Sequence, residues 1–242
     1  RLTTRGEPGH GSRPRVSTAV TELVAALDRL REHEFPIRVV PAVAAYFRAL
    51  APSQGQKWQS RYVDIATAIQ EPGVAAELHR DNPGHHGLIR NTCSMTRLSG
   101  SEKINVVPTE AWAELDCRLL PDQSPEEFLN ELGDVLGSEV EIETLMGFTP
   151  AQSSAETGLF RMIEDVTQTH FPDVNVMPSV LVAFTDSHFL RDLGITAYGY
   201  DPLAVPQEDL AGVHGNNERI SVENMRKGVV VMTDLIERWV VD

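Results

Sequence analysis

The amino-acid sequence predicts an α+β fold in two parts, and three observations support this prediction. Residues 1–148 contain, in order, a strand, a helix, a helical insertion, two strands, a helix and a strand. Residues 110–120 alternate between apolar and polar side chains, as in a strand with one buried face. After Pro150 helices alternate with single strands, which is typical of an α/β layer. The first part therefore has the β-α-β-β-α-β order of a ferredoxin-like antiparallel sheet with helices on one face.

Local signals define the first half of this domain, residues 1–148. A short strand is expected at residues 2–5, followed by a Gly- and Pro-rich loop at 6–14. The next segment has apolar residues spaced three and four apart, which predicts an amphipathic helix. These residues are Val16, Val20, Leu23, Val24, Leu27 and Leu30. Helical pieces separated by 52–59 are expected to form an insertion at about residues 37–88.

The second half of the domain has the sharpest boundary signals. Residues 91–99 and 110–120 are expected to pair as strands. Ser124 is predicted to cap the following helix, with proline at its first position and Glu127 completing a capping box. Gly137 is expected to end that helix, and residues 140–145 to form the last strand.

Residues 149–242 are predicted to be the later segment of an α/β domain whose amino-terminal half is absent. A short helix is expected at 185–193, a strand at 195–198 and a long helix after Ser221. About 90 residues with two or three strands cannot cover both faces of a parallel sheet, and such strands are rarely left exposed. We therefore expect this segment to need further polypeptide.

Composition and charge exclude several classes of protein. The chain is 41% apolar and 23% charged, which is the balance of a globular protein. Its formal charge of -14 should repel phosphate backbones, so nucleic acid is not expected as a partner. No apolar run approaches the roughly 20 residues that cross a bilayer, so no membrane role is expected. The compartment is open, with the cytoplasm favoured.

The two cysteines, Cys93 and Cys117, would lie opposite each other on neighbouring strands if a hairpin turned near Asn105. We expect them to be buried free thiols rather than a disulfide, since free cysteine commonly behaves as a small core residue. Two cysteines are too few for a cysteine-based zinc site.

Some of the eight histidines are candidates for chemistry. His10 lies between two glycines, which would let a ligand approach closely, although a plain turn histidine fits equally well. His214 lies in a polar loop before the last helix, where a metal ligand and a surface residue are both consistent with the spacing. His79, His85 and His86 could be a metal cluster of a different kind of protein, but a solvated surface is the preferred interpretation.

Four segments in the same order resemble the M20 family of zinc peptidases, which includes aminoacylases, carboxypeptidases G and S and succinyl-diaminopimelate desuccinylase. They are residues 9–14 (GHGSRP), 105–108 (NVVP) with 116–118 (DCR), 185–187 (TDS) and 214–220 (HGNNERI). The carboxypeptidase S-like branch is the most similar. The resemblance implies a two-zinc catalytic α/β domain interrupted by a ferredoxin-like domain through which the protein forms a homodimer.

The resemblance also implies roles for individual residues. His214 would be a ligand of one zinc ion. His10 would reach into the partner subunit's site and stabilise the oxyanion of the tetrahedral intermediate. Asn105 and Arg118 would contact the substrate, Arg118 by clamping a carboxylate with its planar guanidinium.

The TDS segment adds three substrate-binding candidates, which are Thr185, Asp186 and Ser187. Directly after it stands His188, where many relatives have arginine, so the resemblance does not extend to carboxylate binding there. The family's other zinc ligands and its general base belong to the absent half. Residues 79–81 (HRD) and 126–127 (EE) imitate those motifs, but they fall at a helix end and in a capping box.

The function implied by this resemblance is zinc-dependent hydrolysis of an N-acyl or peptide amide next to a free carboxylate. The substrate would be a small peptide or an N-acyl amino acid, and the complete enzyme would hold two zinc ions. The isolated chain is expected to be inactive, because a catalytic zinc takes about three protein ligands and only His214 is available. The alternative is a non-catalytic dimerisation or binding module that retains the fold.

Overall fold

A computed structural model describes residues 1–181, 183–210 and 212–241, and these residues divide into two compact units. Unit 1 comprises the described residues of 1–152 and 179–188. Unit 2 comprises the described residues of 153–178 and 189–242. The domain limits of 1–148 and 149–242 stay a prediction.

Unit 1 contains six strands in its described part. They are β1 (Leu2–Arg5), β2 (Gly9–His10), β3 (Thr92–Ser99), β4 (Val106–Val107), β5 (Glu110–Arg118) and β6 (Glu141–Ile142). Four of them form a sheet in the order β3-β5-β1-β6, and every neighbouring pair is antiparallel. Strands β2 and β4 pair separately. The predicted alternation in β5 is confirmed, because Ala111 and Ala113 are buried.

Two helices, α1 (Ala19–Glu32) and the helix at Pro125–Leu136, share one apolar core with the sheet. Leu23 and Leu27 of α1 and Phe128 and Leu132 of the second helix are buried in it. The capping box at Ser124 is confirmed, since its hydroxyl accepts from the Glu127 N–H and the Glu127 carboxylate accepts from the Ser124 N–H. The Glu126-Glu127 pair is therefore part of a helix start.

The insertion between α1 and β3 is a helical subdomain with a core of its own. Its helices are α2 (Pro41–Leu50), α3 (Gln56–Val63), α4 (Ile65–Ala68), α5 (Val74–Asp81) and α6 (Pro83–His86), and the helix at Pro125–Leu136 is thus α7. The break expected at 52–59 is shorter than predicted, because α3 begins at Gln56. Trp58 and Tyr62 lie four residues apart and are both buried, so α3 also has a core-facing side.

The expectation of free thiols is wrong, because Cys93 and Cys117 form a disulfide. The two residues are direct partners in the β3–β5 ladder, as the hairpin argument predicted, and their Cα atoms are 4.1 Å apart. Opposed cysteines on antiparallel strands have their side chains close enough to bond. The bond therefore ties the two strands together one residue before Arg118.

Unit 2 is helical in the residues that the structure describes. Its elements are α8 (Gly158–His170), α10 (Gln207–Leu210) and α11 (Val222–Val241), while α9 (Ser187–Asp192) spans the boundary between the units. Ile163 and Val166 of α8 pack with Val231 and Leu235 of α11. None of the described helices is long and apolar enough to cross a membrane.

The strand predicted at 195–198 does not form in the described part of unit 2. Instead of a neighbouring strand, the Ser153 hydroxyl pairs with this segment, donating to the Ala197 carbonyl at 2.9 Å and accepting from the Ala197 N–H at 3.2 Å. The backbone N–H and carbonyl of Ala197, which a ladder could use, are thus satisfied by a side chain.

Candidate functional site

A two-stranded ribbon brings two of the predicted site residues, His10 and Asn105, together. In the β2–β4 ladder His10 pairs with Val106. One step beyond the ladder, the Gly11 N–H donates to the Asn105 carbonyl at 2.8 Å. A Cβ at position 11 would lie 3.4 Å from the Asn105 Cα, which is an ordinary van der Waals contact. Both His10 and Asn105 are exposed.

The ribbon continues the central β1–β5 ladder past the edge of the sheet. Arg5 pairs with Glu110, and the Gly6 N–H then donates to the Thr109 carbonyl at 2.9 Å. A Cβ at position 6 would stand 2.6 Å from the Ala19 amide nitrogen, which is closer than side-chain atoms approach. A glycine at this position lets the chain pass the start of α1 and enter the ribbon.

The imidazole of His10 is held by the turn that follows it. The Arg13 N–H donates to the His10 carbonyl at 2.9 Å and closes a turn over residues 10–13. Within this turn, the Ser12 hydroxyl lies 2.9 Å and the Ser12 backbone nitrogen 3.2 Å from His10 Nδ1. The ring is therefore oriented by its own loop.

Arg118 lies at the opposite end of the sheet. It is the last residue of β5, paired with Thr92 of β3, whereas the ribbon leaves the sheet at Glu110. Strand β5 spans nine residues, so its two ends are about 27 Å apart. That span exceeds the length of a small peptide or an N-acyl amino acid headgroup. One protomer cannot therefore place both His10 and Arg118 on the same amide.

The guanidinium of Arg118 is bound side-on by a carboxylate of its own strand. Nε lies 2.6 Å from Asp116 Oδ1, and Nη2 lies 2.7 Å from Asp116 Oδ2. Residues two apart in a strand point to the same face, which explains the contact. The motif thus contains an internal partner for the arginine, and Asp116 is a functional candidate that we did not predict.

The TDS segment leads into helix α9, which begins at Ser187. The Ser187 N–H donates to the Thr185 hydroxyl at 3.3 Å, and Asp186 is exposed. His188 is buried at 6% exposure, with its ring 4.3 Å from that of Phe148, and its Nδ1 lies 3.2 Å from the Thr185 carbonyl. The imidazole that stands in place of arginine is therefore directed into the protein and away from solvent.

The loop of His214 has a special backbone conformation. His214 and Asn217 have positive φ values of 60° and 69°, in the left-handed region that few non-glycine residues adopt. Glu218 holds the loop by accepting from the His214 N–H at 3.1 Å. Strained backbone of this kind is concentrated at functional sites, so the loop is a candidate part of such a site. The His214 side chain is exposed.

The described residues do not bring together a complete zinc site. Within the described ranges, no group of three or more His, Cys, Asp or Glu side chains is placed to hold a metal ion. A catalytic zinc takes about three protein ligands. His214 offers one exposed imidazole, which could supply one such ligand.

The three insertion histidines do not converge into an alternative cluster. His79 and His86 approach with their Nδ1 atoms 3.1 Å apart, while His85 turns away to bond the Tyr62 hydroxyl at 2.7 Å. Burial, followed by the positive charge of Arg90, lowers the pKa of His86 to about 4. A site beside a buried arginine is unfavourable for a divalent cation.

The profile of the peptidase dimerisation domain of the M20 family matches residues 1–143. The chain therefore belongs to the M20 family, as the four sequence segments indicated. It is 27% identical over 235 residues to the mouse N-fatty-acyl-amino acid synthase/hydrolase PM20D1, covering 95% of this chain and 46% of that protein. It is 25% identical over 232 residues to the probable carboxypeptidase S-like 2 of Dictyostelium discoideum, covering 95% of this chain and 44% of that protein. The chain thus spans about half the length of these relatives.

Solved structures of the same family share the fold. The Saccharomyces cerevisiae di-peptidase Dug1p matches with a TM-score of 0.57 at 14% identity, covering 97% of this chain and 52% of that one. The M20 family metallo-carboxypeptidase Sso-CP2 of Sulfolobus solfataricus matches with a TM-score of 0.52 at 17% identity, covering 80% and 54%. This chain therefore has the α+β fold of M20 hydrolases.

Proposed function

We propose that this chain supplies the dimerisation domain and the later part of the catalytic domain of a zinc-dependent amidohydrolase. Its substrate would be an N-acyl or peptide amide next to a free carboxylate. The observation that supports this most strongly is the ribbon that holds His10 and Asn105 together, exposed, in a member of the M20 family. The name of the mouse relative favours an N-acyl amino acid. The order β3-β5-β1-β6 supports a ferredoxin-like assignment for residues 1–148.

The proposed roles concern groups of this chain. Arg118 binds the substrate carboxylate, because a planar guanidinium forms two parallel hydrogen bonds with it. His10 donates a hydrogen bond to the oxyanion as the amide carbonyl becomes tetrahedral, and Asn105 contacts the substrate beside it. Thr185, Asp186 and Ser187 bind the substrate from the start of α9. Two zinc ions are the proposed cofactors, with His214 as one ligand.

A homodimer follows from the separation of His10 and Arg118. If both act on one substrate, the two residues must come from different protomers, since the length of β5 lies between them. Strand β3 is an edge of the sheet and exposes Met95 and Leu98 at 45% and 65%. An exposed apolar edge strand is suited to pairing with a second copy.

Mixing two inactive variants tests this arrangement. The longest open reading frame that contains these 242 residues would be expressed as His10→Ala and as Arg118→Ala, each expected to lose at least about 100-fold in kcat/KM. In a mixed dimer with shared sites, one of the two sites has both native residues, so random mixing restores about one quarter of the native sites. No recovery on mixing would mean that the two residues do not meet across protomers.

The same protein distinguishes the enzyme from the alternative, a non-catalytic module. We expect the longer protein to hydrolyse N-acyl amino acids with added zinc and to lose this activity in His214→Ala. The 242-residue chain with added zinc is expected to be inactive. Hydrolysis by the short chain would refute the incomplete-site proposal, and inactivity of both proteins against a panel of N-acyl amino acids and dipeptides would favour the module.

A further inference from the structure

The ring of His10 meets two hydrogen-bond donors from Ser12 at the same nitrogen. The Ser12 hydroxyl lies 2.9 Å and the Ser12 backbone nitrogen 3.2 Å from His10 Nδ1. A backbone N–H can only donate, so Nδ1 must be the acceptor and can carry no proton. In a neutral imidazole the proton then resides on Nε2.

The opposite tautomer is disfavoured by the same geometry. A proton on Nδ1 would point at the Ser12 N–H, and two donors would face each other. The Ser12 hydroxyl could rotate and accept, but the backbone N–H has no such freedom and would lose its partner. The backbone N–H thus selects the tautomer, and the hydroxyl strengthens the selection when it donates to the same nitrogen.

The turn that carries Ser12 is itself held from both sides. The Arg13 N–H closes it onto the His10 carbonyl at 2.9 Å, and the Gly11 N–H anchors it to Asn105 at 2.8 Å. No second residue of the described ranges hydrogen-bonds the His10 ring, and His10 is exposed. The turn therefore fixes Nδ1 and leaves Nε2 available to a ligand.

We propose that Ser12 is a positioning residue that sets the tautomer of His10, so that the ring presents Nε2–H as the donor to the substrate oxyanion. This inference rests on the function proposed above for His10. A bare Nε2 would turn a lone pair toward the developing negative charge, whereas Nε2–H stabilises it. Because the donor is fixed before substrate arrives, no rearrangement is needed during the reaction.

Ring-nitrogen spectroscopy tests the tautomer directly. In the 242-residue chain with ¹⁵N-labelled histidine rings, two-bond ¹H–¹⁵N correlations distinguish a bare nitrogen from a protonated one, and loss of signals in His10→Gln assigns them. We expect Nδ1 bare and Nε2 protonated in the native chain and in Ser12→Thr. In Ser12→Ala one donor is lost, so the two ¹⁵N shifts should move toward each other as the second tautomer becomes populated.

Ser17→Ala is the matched control, because Ser17 is a nearby exposed serine whose hydroxyl donates to Glu22 instead. It should leave the His10 shifts unchanged. A protonated Nδ1 in the native chain overturns the proposal, as do His10 shifts in Ser12→Ala that are unchanged or equal to those of Ser17→Ala.

Kinetics of the longer protein supply the second readout. Ser12→Ala should lower kcat about five-fold at unchanged KM, the effect of one lost hydrogen bond, and Ser12→Thr should restore it. Since the spectra need neither zinc nor substrate, they report on Ser12 even if the function proposed for His10 fails. Full activity of His10→Ala would show that the role proposed for His10 is wrong. An unchanged kcat in Ser12→Ala, with His10→Ala inactive, would overturn the role of Ser12.

Discussion

Asp116 binds one two-donor edge of Arg118, with Nε 2.6 Å from Oδ1 and Nη2 2.7 Å from Oδ2. A guanidinium has a second such edge, formed by Nη1 and Nη2, which this contact does not use. A substrate carboxylate can therefore bind end-on while Asp116 fixes the plane of the group. The internal carboxylate orients the arginine and need not be displaced.

The first prediction follows from this orientation. In the longer protein proposed above as the enzyme, Asp116→Ala should raise KM about two- to five-fold with a smaller effect on kcat, the range expected for a partly exposed ion pair. Glu139→Ala is the control, because Glu139 pairs with Arg29 at 2.6 Å with similar exposure and has no proposed role. Steady-state kinetics measure both. A lower KM in Asp116→Ala would mean that Asp116 competes with the substrate for Arg118.

The second prediction concerns the disulfide between Cys93 and Cys117. It closes a loop with a sequence separation of 24, for which chain entropy gives a stabilisation of about 3 kcal/mol. Urea unfolding should show this loss on adding dithiothreitol, and the Cys93→Ser, Cys117→Ser double variant should be insensitive to the reductant. Equal stability of the native chain with and without reductant would contradict this prediction.

The third prediction is a pH effect on the stability of the helical insertion. Burial and the Arg90 charge lower the pKa of His86 from 6.5 to about 4. Between these two pKa values the unfolded chain binds a proton that the folded chain does not. The free energy of unfolding is therefore highest above about pH 6.5, as far as His86 determines it, and decreases as the pH falls toward 4. Urea midpoints at pH 7 and pH 4.5 should therefore differ less in His86→Gln than in the native chain. Identical differences would contradict the prediction.

The fourth prediction concerns the exposed edge strand. Leu98→Arg should convert the proposed homodimer into a monomer at micromolar concentration, because a buried charge would face the paired edge of the second copy. Val63→Arg is the control, since Val63 is 53% exposed on α3 of the insertion. Light scattering gives the mass of each. A native monomer, or a Leu98→Arg dimer, would contradict the edge-pairing proposal.

Elements with a local cause were predictable from the sequence. The capping box of Ser124 and Glu127 satisfies backbone groups within four residues, so its signal is complete in the local sequence. The register of Cys93 opposite Cys117 followed from the hairpin, but composition alone does not decide whether two opposed thiols are oxidised. The helix from Gln56 was missed because proline and glycine nearby suggested a longer break.

Elements that depend on distant partners were not predictable. A strand was predicted at 195–198, but a strand needs a neighbour, and here the Ser153 side chain bonds the backbone of Ala197. For the site, the ribbon of His10 and Asn105 unites residues 95 positions apart in a 242-residue sequence, which only the ladder reveals. The contact between Asp116 and Arg118 could have been predicted from the sequence, since side chains two residues apart in a strand lie on the same face.

Gly6 has no reacting group, yet the space that it leaves beside Ala19 determines the course of the chain into the ribbon. A larger residue there would force the loop or the start of α1 to shift. If the imidazole moves with the loop, a misplacement of about 1 Å is enough to disable an oriented donor. In a saturation screen scored by turnover, position 6 should thus behave like part of the reaction centre. In a screen scored by solubility alone, substitutions at position 6 should have the same effect as those at positions with no role in the reaction.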